Sequence, residues 1–337
     1  MNKVVLLGRF PEAGRAILKE RCRGRYEVAE VGTEGGLEEQ RDGTYYILRG
    51  FRMGAAEIEK LSSEARLLHR WGVGFDAVDI EAAGRRGITV SICAGVNAQP
   101  VAELAVLLML ASYRRLPELL LRSREGRKDK EDIIGRSWLI EGKTVGLVGL
   151  GSIGRRVARM VRGFGAEVAY YDPYRAAPEV EEALGVRFLP LDELLRVSDI
   201  VSLHMPLLES TRHLIDAEAI AKMKPSALLV NTARGGIVDT EALLKALEER
   251  RILGAALDTI EGEPLPAGHR AFAMDNLLVT PHAGGNTEDN NRNMALYIMD
   301  NIDAMEAGGE PNRSSVVNRE YLKKGSYYGR LAQRCDD

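Results

Sequence analysis

Cysteine is scarce: Cys22, Cys93 and Cys335 are the only three, far apart in a 337-residue chain. This excludes a disulfide framework and any metal-binding cysteine spacing, so no metal is expected. It also sets the expectation of a reducing, cytoplasmic compartment. Long hydrophobic runs are missing, since no apolar stretch approaches the ~18 residues that span a bilayer. The apolar segment of MNKVVLLGRF is too short for a signal peptide and reads as a first strand. There is no excess of positive charge: the formal charge is −3, which argues against general binding to nucleic acid or to an anionic membrane. What is present, 45% apolar and 28% charged residues, is the composition of a soluble globular protein, and the length favours two domains.

Strand and helix patterns alternate, which predicts an α/β fold of parallel sheets with helical crossovers. Lys3–Leu7, Glu27–Val31, Tyr45–Leu48, Arg66–Arg70 and Ile88–Ser91 read as strands of a first unit, with helices near Ala13–Arg21, Ala55–Ser62 and Ile80–Arg85. A second series begins at Thr144–Val148 and continues through Glu167–Tyr171, Asp199–Leu203, Ala227–Asn231, Gly254–Leu257 and Leu277–Thr280. Thr240–Glu249 is amphipathic, with Asp239 placed to cap it. Pro100–Arg114 breaks the alternation as a nearly all-apolar helix, either deeply buried or part of an interface. Arg122–Asp132 reads as a solvated connection, and the 100–138 region as a candidate dimerisation arm. The segment after about Gly308 is polar and too short for an added regulatory domain.

The most informative stretch is TVGLVGLGSIG, Thr144–Gly154. Gly149, Gly151 and Gly154 form G-x-G-x-x-G between a buried strand and a helix that includes Ile153. The first glycine permits the turn, the second a close approach of pyrophosphate, and the third close helix–strand packing. The backbone N–H groups at the helix start, Ser152 and Ile153 included, supply an anion site. Asp172 ends the next strand, 18 residues past the last glycine. An acid there accepts from the ribose hydroxyls of NAD and repels the 2′-phosphate of NADP.

Three further motifs follow in order: VNTARGGIVD (Val230–Asp239), LDTIEGEP (Leu257–Pro264) and VTPHAGG (Val279–Gly285). Together with the glycine loop they resemble the D-isomer-specific 2-hydroxyacid dehydrogenases, from about Tyr45 to about Gly285. The resemblance implies two doubly wound parallel-sheet domains, with a Rossmann cofactor domain (99–284) inserted into a flavodoxin-like substrate domain (1–98 and 285–337). It places the active site in the cleft.

Reducing a 2-oxo acid requires a hydride at the carbonyl carbon, a proton at its oxygen and a cation for the carboxylate. Arg234, beyond a strand end, is a permanently charged fork able to grip a carboxylate. His282, at another strand end, suits a group that gives and takes a proton near neutral pH. The resemblance assigns Arg234 to substrate binding and carbonyl polarisation, and His282 to proton transfer. It assigns to Glu263, 19 positions earlier, a hydrogen bond that orients the imidazole and favours its charged form. The formate dehydrogenases of the superfamily carry glutamine at that position.

The resemblance further implies that Val73 and Gly74, in HRWGVGFD, grip the carboxylate through their N–H groups, with Arg49 facing the cleft. His204 and Pro206, in HMPL, line the cofactor. Thr232, Ala233 and Asp258 approach the nicotinamide side. His213 and His269 read as surface residues. Cys93-Ala94-Gly95-Val96 stands where phosphoglycerate enzymes read A-P-G-G, and their basic phosphate cluster is matched only in part, by Arg49 with Arg52 or Arg70. The expected activity is NAD-dependent, reversible oxidation of a small 2-hydroxy acid by a homodimer. The same scaffold acting on a sugar acid or a phosphonate, and an NAD-sensing co-repressor, remain open alternatives at this point.

Overall fold

Residues 1–32 and 34–322 are described by the computed structural model, and Cys335 lies outside them. The chain divides into two units. One contains Met1–Asn97 and the described residues from Asn286 onward, the other Ala98–Gly285.

In the first unit, β1 (Lys3–Leu7), α1 (Glu12–Cys22), β2 (Glu27–Val31), β3 (Tyr45–Leu48), α2 (Ala55–Glu59), β4 (Leu67–Arg70), α3 (Ile80–Arg85) and β5 (Thr89–Ser91) follow in sequence. The strands form a parallel sheet of order β2-β1-β3-β4-β5, the flavodoxin-like order. The central strand runs VVLL and YYIL are buried on both faces, as parallel sheets covered by helices require.

The second unit opens with α4 (Ala98–Tyr113), α5 (Leu116–Arg124) and α6 (Glu131–Ile134). It continues through β6 (Thr144–Val148), α7 (Ser152–Gly163), β7 (Glu167–Tyr171), α8 (Pro178–Leu184), β8 (Val186–Phe188) and α9 (Leu191–Val197). Then come β9 (Ile200–Leu203), α10 (Ala217–Lys222), β10 (Leu228–Asn231), α11 (Thr240–Glu248), β11 (Gly254–Leu257) and β12 (Leu277–Val279). Its parallel sheet has the order β12-β11-β10-β9-β6-β7-β8, the doubly wound Rossmann arrangement extended by one strand. The chain then returns to the first unit as α12 (Glu288–Glu306), which packs on α1.

Aspartates begin several helices: Asp79, Asp216 and Asp239 accept from the N–H groups of Ala82, Ala219 and Ala242, satisfying donors the helix itself leaves unpaired. Three features go beyond what the sequence showed. Strand β8 carries only three residues, too short for a periodicity signal. Arg122–Asp132 is exposed, as a solvated connection would be, except at Arg122. Arg122 is 9% exposed and gathers Glu118 at 2.6 Å, Asp132 at 2.7 Å and Asp129 at 3.1 Å, because opposite charges flank it on α5 and across the following turn. The polar stretch after Gly308 is also ordered through Leu322. Val316 bridges Ser91, and buried Asn318 accepts from Val90 N at 2.9 Å and donates to Ile88 O at 2.9 Å.

His69, on β4, is fully buried, and burial pushes its imidazole down to about 4. The Asn301 amide accepts from Asn312 N through Oδ1 and therefore presents Nδ2 to His69 Nε2 at 2.9 Å. His69 Nδ1–H then donates to Arg70 O at 3.0 Å. This neutral imidazole has no room for a second proton. Between about pH 6.5 and 4 the unfolded chain binds a proton that the folded chain refuses, so this contribution is complete above 6.5 and is lost on acidification. The loss is on the order of 3 kcal/mol. Urea denaturation at pH 7 and pH 4.5 is expected to show a smaller acid-induced loss in His69→Gln than in the parent chain. Equal losses would assign the acid sensitivity elsewhere.

Candidate active site

The second unit gathers chemistry at the carboxyl ends of its strands, where open α/β sheets bind ligands. After β6, Gly149 adopts φ +104° and its N–H donates to Tyr171 O. A Cβ on Gly149 would meet the His204 carbonyl carbon at 2.9 Å, and one on Gly154 would meet Gly149 O at 2.2 Å. These two glycines thus seat the loop on the next strand end and on itself. A Cβ on Gly151 would meet nothing within 4 Å, leaving open space before α7. The N–H groups of Gly151, Ser152 and Ile153 have no acceptor among the described residues. Asp172 stands at the end of β7, its Oδ2 accepting from Leu150 N and its Oδ1 from Tyr174 N, both at 3.0 Å. Each oxygen retains a lone pair for a hydroxyl donor.

Buried polar atoms without partners lie along the same edge: His204 Nδ1, Thr232 Oγ1 and Thr259 Oγ1. His204 Nε2 lies 3.0 Å from Ser202 Oγ, and burial pushes the ring down to about 3, so it is neutral. Unpartnered buried groups of this kind are satisfied by a ligand or water. The cleared space, the helix start, the acid and these atoms fit a dinucleotide. Pro206 follows in the β9 loop, with its carbonyl bonded by Thr211 Oγ1 at 2.7 Å.

His282 and Glu263 are brought together. Nδ1 of His282 lies 2.7 Å from Glu263 Oε1, and the His282 side chain is half exposed. His282 has φ +53°, a left-handed conformation that costs a non-glycine residue energy and persists only where its surroundings enforce it. Asp258 supplies that enforcement. Its Oδ1 accepts from Thr280 Oγ1 at 2.6 Å and Ala283 N at 2.8 Å, and its Oδ2 from Gly284 N at 2.8 Å. Its own carbonyl accepts from His282 N at 2.9 Å. Sequence reasoning read Asp258 as near the nicotinamide; the structure adds that it holds the histidine loop.

Arg234 is half-buried, donates to Ala233 O at 2.7 Å and has no acidic partner among the described residues. A cation left without a counter-charge is suited to an anionic ligand. Asn231, read earlier only as a strand end, is a positioning residue. It is fully buried, accepts from Ala233 N and donates to Arg234 O at 3.0 Å and Thr259 O at 3.5 Å. An asparagine ending an otherwise apolar strand was its only sequence signal.

His213 and His269, expected as plain surface residues, both have partners. His213 Nε2 lies 2.9 Å from Glu261 Oε2, and His269 Nδ1 accepts from Ala271 N. In the first unit, the N–H groups of Val73 and Gly74 have no acceptor among the described residues. Partly buried Arg49 donates to Arg9 O and has no acidic partner there either. No group of three or more metal-ligating side chains occurs among the described residues.

Fold and site together define a dinucleotide-dependent oxidoreductase. Residues 106–284 match the family described as D-isomer specific 2-hydroxyacid dehydrogenase, NAD binding domain. The chain is 37% identical over 331 residues to a glyoxylate reductase of Thermococcus onnurineus, covering 95% of this chain and 97% of that one. It is 38% identical over 259 residues to a hydroxypyruvate reductase of Thermotoga maritima, covering 76% and 82%. The structure of a D-lactate dehydrogenase with NAD+ from Lactobacillus jensenii superposes with TM-score 0.79 at 28% identity, covering 94% of this chain and 100% of that one. The chain belongs to the D-isomer-specific 2-hydroxyacid dehydrogenase family, and is an oxidoreductase with NAD as its cofactor.

Asp258→Asn replaces an acceptor of three hydrogen bonds with a group that also carries donors. Leaving buried donors unpaired costs about 1–3 kcal/mol. The variant is expected to melt earlier and to lose about tenfold or more in kcat as His282 leaves its enforced conformation. Thermal unfolding and steady-state kinetics check this. An unchanged kcat would remove Asp258 from the positioning of His282.

Proposed function

We propose that this protein reduces a small 2-oxo acid to the D-2-hydroxy acid, reversibly, with glyoxylate and hydroxypyruvate as the leading substrate class. The observation that carries the reading is the His282–Glu263 pair together with an acid-free Arg234 on neighbouring strand ends of one unit. The names of the relatives support the substrate class.

NAD, when bound, supplies or accepts the hydride. Arg234 grips the substrate carboxylate and polarises the carbonyl. In the first unit, the N–H groups of Val73 and Gly74 and the guanidinium of Arg49 are donors suited to an anionic substrate group. Glu263 holds His282 through Nδ1, so the proton delivered to the carbonyl oxygen is carried on Nε2, and the same atom receives it in the reverse direction. On the cofactor side, Gly149, Gly151, Ser152, Ile153 and Gly154 cradle the pyrophosphate, and Asp172 takes the ribose diol. His204, Pro206, Thr232, Ala233 and Asp258 line the remainder.

The test is NADH oxidation against glyoxylate, hydroxypyruvate, pyruvate, 2-oxoisocaproate and 3-phosphohydroxypyruvate. Turnover is expected with glyoxylate or hydroxypyruvate. His282→Asn is expected to lower kcat by ~10²–10⁴-fold with NADH binding retained. Full turnover in that variant would end the acid–base assignment, and exclusive use of another acid would replace the substrate class.

The same reading includes a homodimer formed through residues 100–138. Helix α4 buries most of its apolar side chains inside the unit, yet Leu107, Leu116, Leu120, Leu121, Ile134 and Trp138 remain exposed. Exposed apolar side chains concentrated in one segment suit an interaction surface. Sedimentation velocity is expected to show a dimer at micromolar concentration and a monomer for Leu120→Glu/Leu121→Glu. A monomeric parent chain would refute the dimer. No helix among the described residues is long and apolar enough to cross a membrane. Cys22 and Cys93 are free and buried, which supports the cytoplasmic assignment.

A further inference from the structure

Beyond Asp172 the chain turns through Pro173 and Tyr174 to Arg175, a cation three residues from the acid that faces the ribose. Dinucleotide sites that accept a 2′-phosphate do so with an arginine near this position. Here that arginine is committed elsewhere. Arg175 Nε and Nη2 reach Glu181 Oε1 and Oε2 on α8 at 2.9 and 3.0 Å, a bidentate pair. Its guanidinium also lies 5.3 Å from the Phe188 ring centroid.

Glu181 is fixed in turn. Tyr170 Oη donates to Oε1 at 2.6 Å and accepts from Ala176 N at 2.9 Å. The Glu181 side chain is only 13% exposed, whereas Arg175 is 62% exposed. Arg175 and Tyr170 hold the Glu181 carboxyl down at about 2, so the pair stays charged across the working pH range. The other nearby guanidinium, Arg155, donates through Nε to Leu150 O at 3.0 Å.

We propose that Glu181, positioned by Tyr170, is a specificity-determining residue that withholds Arg175 from a 2′-phosphate and so makes the enzyme discriminate against NADP(H). Asp172 repels the phosphate directly, and Glu181 removes the cation that would offset the repulsion. The inference rests on the assignment of Asp172 to the ribose, and the two are separable by experiment.

Dissociation constants for NADH and NADPH, measured by isothermal titration calorimetry without substrate, give the readout. Glu181→Gln is expected to leave the NADH constant unchanged and to tighten NADPH by ~10-fold relative to NADH. Tyr170→Phe, which loosens Glu181 but keeps its charge, is expected to shift the ratio in the same direction by a smaller factor. Arg175→Ala is expected to leave the ratio at its parent value. Glu181→Gln/Arg175→Ala is expected to return to it, because the gain operates through Arg175.

A parent-like ratio in both Glu181→Gln and Tyr170→Phe would overturn the proposal, as would a gain that persists in the double variant. Asp172→Ala tests the underlying assignment: unchanged NADH and NADPH constants there would refute the ribose role whatever Glu181 does.

Discussion

One buried carboxylate governs the reactive edge of the second unit. Asp258 ends β11, and its side chain collects Thr280 Oγ1, Ala283 N and Gly284 N from the loop beyond β12. A charged acceptor with several short donors is strong in a site shielded from water. That strength offsets the left-handed backbone of His282, which would otherwise relax. The same loop after β11 carries Glu263, so one strand end both fixes the histidine backbone and delivers the carboxylate that orients its ring. Neighbouring strands extend the lattice. Asn231 ties the Arg234 loop to Thr259, and Gly235 packs so closely on Ile260 and Glu261 that a Cβ would meet the Ile260 carbonyl carbon at 2.2 Å. Cation, acid and histidine are thus held by the rigidity of adjacent strands, as a near-attack geometry requires.

The cofactor end follows from topology. The chain runs outward from β6 to β7 and β8, then returns to place β9 on the other side of β6. At this reversal the loops after β6 and β9 leave adjacent strands in opposite directions and open a crevice. Gly149 lets the two loops touch at His204. A larger residue in its place would drive the strand ends apart, so the glycine serves the sheet as much as the ligand.

Much of this was legible in the sequence for particular reasons. Parallel strands buried on both faces leave unbroken apolar runs, which is why Lys3–Leu7, Thr144–Val148 and Glu167–Tyr171 could be bounded to the residue. The glycine loop and the Arg234, Glu263 and His282 motifs carry chemistry that constrains residue type. The roles of Asn231 and Asp258 were hidden because most of their bonds run to backbone atoms, and backbone partners leave no trace in side-chain identity. The ion-pair cluster on Arg122 was hidden for a related reason. A run of mixed charges looks solvated until the turn that folds Asp129 and Asp132 back onto it is known. The apolar helix α4 was ambiguous between core and interface, and the structure shows why: one face is interior while Leu107 points outward.

The loop after β11 also shows how one short segment supports two histidine–carboxylate pairs without confusing them. Glu261 meets His213 at 2.9 Å and Glu263 meets His282 at 2.7 Å. In extended chain, residues two apart would point to the same side. Gly262 intervenes with φ +80°, a conformation that glycine adopts freely and other residues do not. It turns the chain so that the two carboxylates reach histidines on different loops. Arg212 shares Glu261 at 3.3 Å, so that acid already has a permanent counter-charge. Glu263 has no arginine or lysine within salt-bridge distance among the described residues. Its Oε2 accepts from Ile260 N at 3.3 Å while its Oε1 faces His282, so the backbone steadies the carboxylate that orients the imidazole.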